Sequence, residues 1–379
     1  MRVGANGDYP PFSAGHGAAL TGLDIDVVHR FARDTGRSVT LVPFRWPDLL
    51  ADLRAGRFDV AVGGITMRPE RAIRGTFTRP VVRAGAVVLA PPGLATLDAP
   101  EVRLAVNGGG HLERLAHRLF PAATLVTTTD NRLVDLRADA ILTDEIEADR
   151  LTRERPALAR RGPYTRDAKA YLAADPALAR ELDGWLRARE GDGTLAALRA
   201  RWLGGARAAR RSAADSDVDA LLALIDLRLA FMPAVAAAKR AAGRLIDDPA
   251  QEARVLAAVR DWAGPAGLAP EPVEMLFREL IRAARAVQER FVRAPWPVDG
   301  LDLETEARPA LARVSQEIVQ RAAAVAKEDV ALDESAIAAQ LDPSWSDAPT
   351  RTAIARAIVA LRPQSSRREP TFVKAEQLR

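Results

Sequence analysis

The spacing of apolar residues changes character once along this chain, near Trp202-Leu203-Gly204-Gly205, and two different architectures follow from that change. Before it, strand-length apolar runs at 39–42, 58–62, 104–106 and 138–142 alternate with helical patterns at 24–35, 47–55, 112–119 and 177–187. Strands regularly separated by helices predict an α/β fold with largely parallel sheets, whose ligands sit at the carboxyl ends of the strands. From Val218 onward nearly every segment has helical spacing, broken by Pro and Gly at 263–272 and 292–300. No fixed period recurs, so an all-α domain is expected and a solenoid is not. The expected division is an α/β unit at 1–205, a linker of Ala, Arg, Ser and Asp at 206–217, and an all-α unit at 218–379. Each half carries its own pattern of buried faces, and the two are expected to fold separately.

Charge narrows the partners. Fifty-four basic against 50 acidic residues give a net charge of +4, too evenly mixed to argue for nucleic acid. The chain has no cysteine, which excludes disulfides and thiolate chemistry. The four histidines (His16, His29, His111, His117) show no ligand spacing, and no metal or cofactor is expected. No run reaches the ~18 consecutive apolar residues of a membrane helix, and no membrane partner is expected. Only Met1 and Arg2 precede a strand-like start, so an exported form is expected to have shed its leader.

In the helical half the informative residues are polar ones on apolar faces. Leu221, Leu224, Arg228, Met232, Val235 and Lys239 follow steps of three and four, placing two cations on one otherwise apolar line. Phe277, Ile281, Ala284 and Gln288 repeat the arrangement, as do Arg308, Leu311, Ser315 and Ile318. A buried cation is costly unless paired. Asp226 or Glu252 could satisfy any single one, but three helices doing the same predict a shared anion pocket.

These residues, with Asp247-Asp248-Pro249-Ala250-Gln251-Glu252 and Arg308-Pro309-Ala310-Leu311, resemble the all-helical chorismate mutases and their exported gamma subclass over most of 218–360. The resemblance implies rearrangement of chorismate to prephenate, a pericyclic step needing no acid, base, nucleophile or metal. It implies that Arg228 and Arg308 grip carboxylates, that Lys239 and Gln288 donate to the ether oxygen, and that Asp248 and Glu252 lie near the substrate hydroxyl. Gln251 departs from the family's usual Arg, and Arg254 on the same helix is the candidate replacement. Asp248-Pro249-Ala250-Gln251 also reads as a helix cap.

In the α/β half, Gly7-Asp8-Tyr9-Pro10-Pro11-Phe12, Gly22-Leu23-Asp24, and Gly63-Gly64-Ile65-Thr66 ahead of Glu70-Arg71 resemble the periplasmic amino-acid-binding proteins of solute-binding family 3. That resemblance implies two lobes clamping a ligand, with Thr66 and Arg71 on its carboxylate. Trp46-Pro47, Arg83, Asn107-Gly108-Gly109-Gly110, Thr143-Asp144-Glu145-Ile146-Glu147 and Lys169-Ala170-Tyr171 resemble a catalytic branch of that fold, the cyclohexadienyl dehydratases. The implied reaction is decarboxylative dehydration of prephenate or arogenate, with Glu147 as general acid and Asp8, Trp46, Thr66, Arg71, Arg83 and Lys169 lining the cleft. Asp144-x-x-Glu147 also reads as a capping box. His111-Leu112 and Ala86 depart from the family pattern, and the helix after Asp130-Asn131 is short.

The combined expectation is a bifunctional enzyme of phenylalanine biosynthesis acting on small molecules in the periplasm or outside the cell. Homo-oligomerisation stays open, and so do two narrower outcomes. One is a solute-binding module without dehydratase activity fused to a mutase. The other is a dehydratase fused to an inactive helical domain.

Overall fold

The computed structural model describes residues 1–108, 110–128, 137–328 and 331–361; Gly109, the Asp130-Asn131 segment and 362–379 lie outside the described residues. The α/β half forms two lobes. In the first, strands run in the order Thr40–Pro43, Arg2–Ala5, Val60–Ala61, Leu172–Ala173, Thr76–Phe77. Arg2–Ala5 is parallel to both of its neighbours, and Leu172–Ala173 is antiparallel to its own. The second lobe orders Thr124–Thr128, Arg103–Asn107, Ala140–Asp144, Ala86–Ala90, Ala159–Arg161. The chain crosses between lobes twice, and the crossing strands Val82–Arg83 and Ala168–Lys169 pair with each other antiparallel. Expected and observed elements agree to within a few residues, as for Leu23–Asp34 and His111–Leu119.

The helical half is a bundle in which Arg308–Lys327 packs along Ala213–Ala230, and Pro270–Arg293 packs against Pro249–Ala266 and Met232–Ala241. The expected single face from Leu221 to Lys239 is interrupted at Phe231, where one helix ends and Met232–Ala241 begins. Pro233 has no N–H for the carbonyl four residues back, which explains the break.

The linker expectation for 206–217 does not hold. Ser212 caps the helix Ala213–Ala230 in a reciprocal box with Asp215, both bonds at 3.0 Å, and Ser216 and Asp217 are buried. The basic residues before it are fastened to the α/β half. Arg211 pairs with Glu190 there and with Asp219 of the bundle at 2.8 Å; Arg207 pairs with Asp149; and Arg210 donates to the Gly191 carbonyl at 2.9 Å.

Separate cores are not observed either. One apolar cluster runs from Phe44, Leu49, Phe58 and Phe77 of the first lobe into Leu221, Leu224 and Phe277 of the bundle. Through it passes a chain of charges. Arg79, 3 % exposed, donates to Asp183 at 2.9 Å and to Asp217 at 3.0 Å. Arg187 reaches Asp217 at 2.8 Å, and Arg321 of the bundle reaches Asp183 at 2.6 Å. The sequence hides this interface because its partners lie from 30 to 138 residues apart.

Removing one member of a buried pair strands the other's charge, typically at a cost of about 3–5 kcal/mol. Arg79→Ala is therefore expected to lower the unfolding free energy by about that amount, read as a drop in the urea midpoint. A chain nicked near Ser212 is expected to elute from a sizing column as one particle; two separating pieces would contradict the shared core.

Candidate active sites

The first site lies between the lobes. Its floor is the turn at Gly63-Gly64, where both residues have positive φ (110° and 71°) and both amides donate to the buried Asp24 carboxylate at 2.8 Å. A Cβ on Gly64 would sit 2.6 Å from the Tyr9 ring, so glycine is required there. The turn delivers Thr66 to the cleft. Arg71 donates to the Thr66 carbonyl at 2.7 Å and lies 5.7 Å from the Trp46 ring centre, and burial pushes its guanidinium down to about 10. Trp46 donates from Nε1 to Asp8 at 3.2 Å.

Lys169, on a crossing strand, pairs with Asp144 of the second lobe at 3.0 Å, donates to the Thr66 hydroxyl at 3.4 Å and stands 5.0 Å from the Tyr9 ring centre. The Tyr9 hydroxyl donates to Asp144, so the lobes touch through a tyrosine, a lysine and a carboxylate. Tyr9 and Asp144 were not among the expected site residues, although both stand in the motifs that carry the family resemblance.

Glu147 resolves the capping ambiguity. Asp144 does cap the helix Glu145–Glu154, accepting from the amides of Ile146 and Glu147 at 2.9 and 3.0 Å. The Glu147 side chain does not return to the cap. It accepts from the Thr143 hydroxyl at 2.5 Å and from Arg150 at 3.4 Å. Burial, reinforced by the nearby Asp144 charge, raises its pKa above the ordinary glutamate range despite those donors.

One expected cleft residue lies elsewhere. Arg83 is turned away to the bundle, paired with Asp219 at 2.7 Å and Asp226 at 3.2 Å, which correct its expected role as a substrate ligand. Two carboxylates on an apolar helix claim it, and the sequence of the α/β half alone cannot show them. His111 is half-buried among charged neighbours. Its Nε2 lies 2.6 Å from Arg68 and 3.2 Å from Asp167, and burial beside Arg68 lowers its pKa to about 4.

The second site is a cavity of about 260 Å³ inside the bundle. All six residues expected there line it: Arg228, Lys239, Asp248, Glu252, Gln288 and Arg308. Arg228, Lys239 and Gln288 are 6, 7 and 7 % exposed. The alternative partners proposed for Arg228 are taken, Asp226 by Arg83 and Glu252 by Arg285 at 2.7 Å. Among the described residues Arg228 makes no ion pair; its one hydrogen bond, at 3.4 Å, goes to the Leu280 carbonyl, and Nε is buried without a partner. Burial lowers it to about 10.

Lys239 donates to the Ile246 carbonyl at 2.8 Å, and burial lowers its pKa too. Gln288 keeps a buried Oε1 without a partner, while its amide nitrogen meets the Ala284 carbonyl at 3.3 Å. Asp248 both caps its helix, accepting from the Gln251 amide at 3.1 Å, and lies 3.5 Å from Arg308. Arg254 lines the cavity and is held by Gln251 at 2.8 Å, so the two act as one unit at its edge.

Residues 1–205, more than half of the chain, match the model of the bacterial extracellular solute-binding proteins, family 3. The chain belongs to that family. Residues 210–289 further match chorismate mutase type II, a stretch holding every expected bundle residue except Arg308. Among relatives of this solute-binding family member, the cyclohexadienyl dehydratase of Pseudomonas aeruginosa is 33 % identical over 220 residues, covering 54 % of this chain and 82 % of its own length. The L-cystine-binding protein TcyJ of Escherichia coli is 29 % identical over 219 residues, covering 54 and 82 %. A binding component of an ABC transporter from Wolinella succinogenes, complexed with lysine, is similar at 26 % identity and a TM-score of 0.50, covering 55 % of this chain and 97 % of its own. The solute-binding half therefore has both catalytic and transport relatives, and the helical half distinguishes this member from those three.

Thr143 stabilises the charged form of Glu147. Thr143→Val is accordingly expected to raise the Glu147 pKa further, a shift readable by carbon-13 NMR titration of the carboxyl.

Proposed function

We propose that the chain converts chorismate to prephenate in the bundle and prephenate to phenylpyruvate in the cleft. The observation that carries this reading is a bundle cavity in which Arg228 is buried without an ion pair among the described residues, beside Lys239, Gln288 and Arg308, joined in one chain to a cleft with a buried carboxyl of raised pKa. In the bundle, Arg228 and Arg308 hold the two carboxylates of a single-ring substrate in its compact conformer. Lys239 and Gln288 donate to the ether oxygen as negative charge grows there. These donors need no reorganisation, and their low-dielectric setting enlarges their effect. Asp248 and Glu252 face the substrate hydroxyl, and each also orients an arginine.

In the cleft, the bond from the ring to its carboxylate breaks and releases carbon dioxide. Its electron pair enters the ring and expels the hydroxyl, which Glu147 protonates to water. Arg71 and Thr66 hold the side-chain carboxylate, and Lys169 and Trp46 fix the ring. The family membership and the dehydratase relative support a periplasmic or exported setting.

The deciding experiment incubates the purified chain with chorismate and follows prephenate and phenylpyruvate separately. Both products are expected. Accumulation of prephenate alone would leave a mutase fused to a binding module. Unchanged chorismate, with added prephenate still consumed, would leave an inactive helical domain.

Arg228→Ala and Lys239→Ala are each expected to slow chorismate consumption by about 10² or more while phenylpyruvate formation from prephenate continues. Glu147→Gln is expected to bind prephenate but release no phenylpyruvate, because an amide fills the space without delivering a proton.

The pH profiles should differ in sign. Dehydration needs protonated Glu147, so its rate is full at low pH and falls as pH rises through that residue's raised pKa. Rearrangement needs charged Lys239, so its rate falls only on the alkaline side, through a pKa below the ordinary lysine value. Gln288 donates at every pH and adds no acid limb.

A further inference from the structure

A third cavity lies where both lobes and the bundle meet, about 90 Å³ and half open to solvent. The first lobe contributes Arg68 and Glu70, the second His111, Arg114, Leu115 and Arg118, and the bundle Pro233, Ala234, Trp296, Asp299 and Trp345. No residue of either proposed active site lines it.

Its charges are unevenly paired. Arg68 is met by Asp167 at 2.6 Å, and Arg114 by Glu70 at 3.3 Å and Asp299 at 3.2 Å. Arg118 makes no ion pair among the described residues. It rests instead on two aromatic rings, 4.7 Å from the Trp345 centre and 5.7 Å from that of Trp296. Asp342 attracts Arg118 through space, but its carboxylate accepts the backbone amides of Arg166 at 3.1 Å and Ser344 at 2.8 Å. Arg68, 8 % exposed, also keeps a buried Nε without a partner. The site thus offers one cation without a direct ion-pair partner among the described residues, a second donor and apolar walls.

We propose that this junction pocket binds a small organic monocarboxylate, its carboxylate seated on the Arg118 guanidinium and its apolar part against Leu115 and Pro233. One arginine without a direct ion-pair partner is available to seat one carboxylate. A dianion such as sulfate would face Glu70 and Asp299 and is disfavoured by them. A cavity of roughly 150 Å³ encloses a benzene ring, so this smaller one takes the carboxylate end and leaves the remainder toward its opening. Because three bodies form its walls, an occupant holds the lobes and the bundle in their present arrangement.

Phenylacetate, which neither proposed reaction consumes, is the probe. Calorimetric titration of the full chain is expected to show saturable binding, and thermal unfolding should move upward with it. Arg118→Met should weaken binding by about tenfold or more, the usual worth of a charged hydrogen bond. Ala234→Leu, which fills the pocket and leaves every charge in place, should weaken it as much. Arg71→Ala and Arg228→Ala, which alter the cleft and the bundle cavity, should leave it unchanged. Absent saturation, binding indifferent to both pocket variants, loss in Arg71→Ala or Arg228→Ala, or displacement by equimolar sulfate would each overturn the assignment.

Discussion

The contact on which the molecule depends is the buried guanidinium of Arg79, held between Asp183 of the α/β half and Asp217 of the bundle. Arg187 and Arg321 extend it in opposite directions, one to the bundle's carboxylate and one to the α/β half's. Neither half is electrically complete without the other. A buried pair contributes little against an apolar replacement, yet breaking one is severe, because the remaining ion is desolvated with nothing to face. Such a network therefore fixes how two units meet more than how strongly they hold. Arg83 with Asp219 and Asp226 does the same at the crossing strands, so the bundle grips the point where the two lobes are joined.

Against that background the uncompensated groups stand out. The fold supplies partners to Arg79, Arg83, Arg199 and Arg211, all at or near the interface between the halves. Among the described residues it supplies no ion pair to Arg228 and leaves the Gln288 oxygen unmatched, although both are as buried as the paired groups. Leaving a cation in a low-dielectric cavity costs stability, and such a cost is normally found where a ligand removes it. Glu147 is the converse case, a carboxyl whose surroundings favour its neutral form.

Much of this was legible in the sequence. The switch from alternating to helical spacing placed both architectures, because periodicity reports which face is buried. The bundle site was legible for the same reason: Arg228, Lys239, Gln288 and Arg308 are polar where the period demands apolar residues. What the period cannot report is a partner. Asp217 and Asp219 are spaced like surface residues of a helix end, and only the docked α/β half makes them interior. Arg83 followed a family pattern into the cleft, but the appended helix offers it two carboxylates. Arg68, His111 and Asp167 come from three separate segments and share no spacing at all.

Within the helix pair Ala213–Ala241 an 18-residue window of mean hydropathy 1.9 is apolar enough to cross a bilayer by composition, and 89 % of that window is buried in protein. A chain threaded unfolded through a secretory channel presents each such stretch to lipid before any partner exists. Asp217, Asp219, Asp226 and Arg228 all fall within the helix pair. Each charge near the centre of a lipid-exposed helix raises its insertion cost by roughly 2.5–3.5 kcal/mol. In the exported setting proposed above, the residues that pair with Arg79 and Arg83 and line the bundle cavity thus also weigh against arrest of the segment in a membrane.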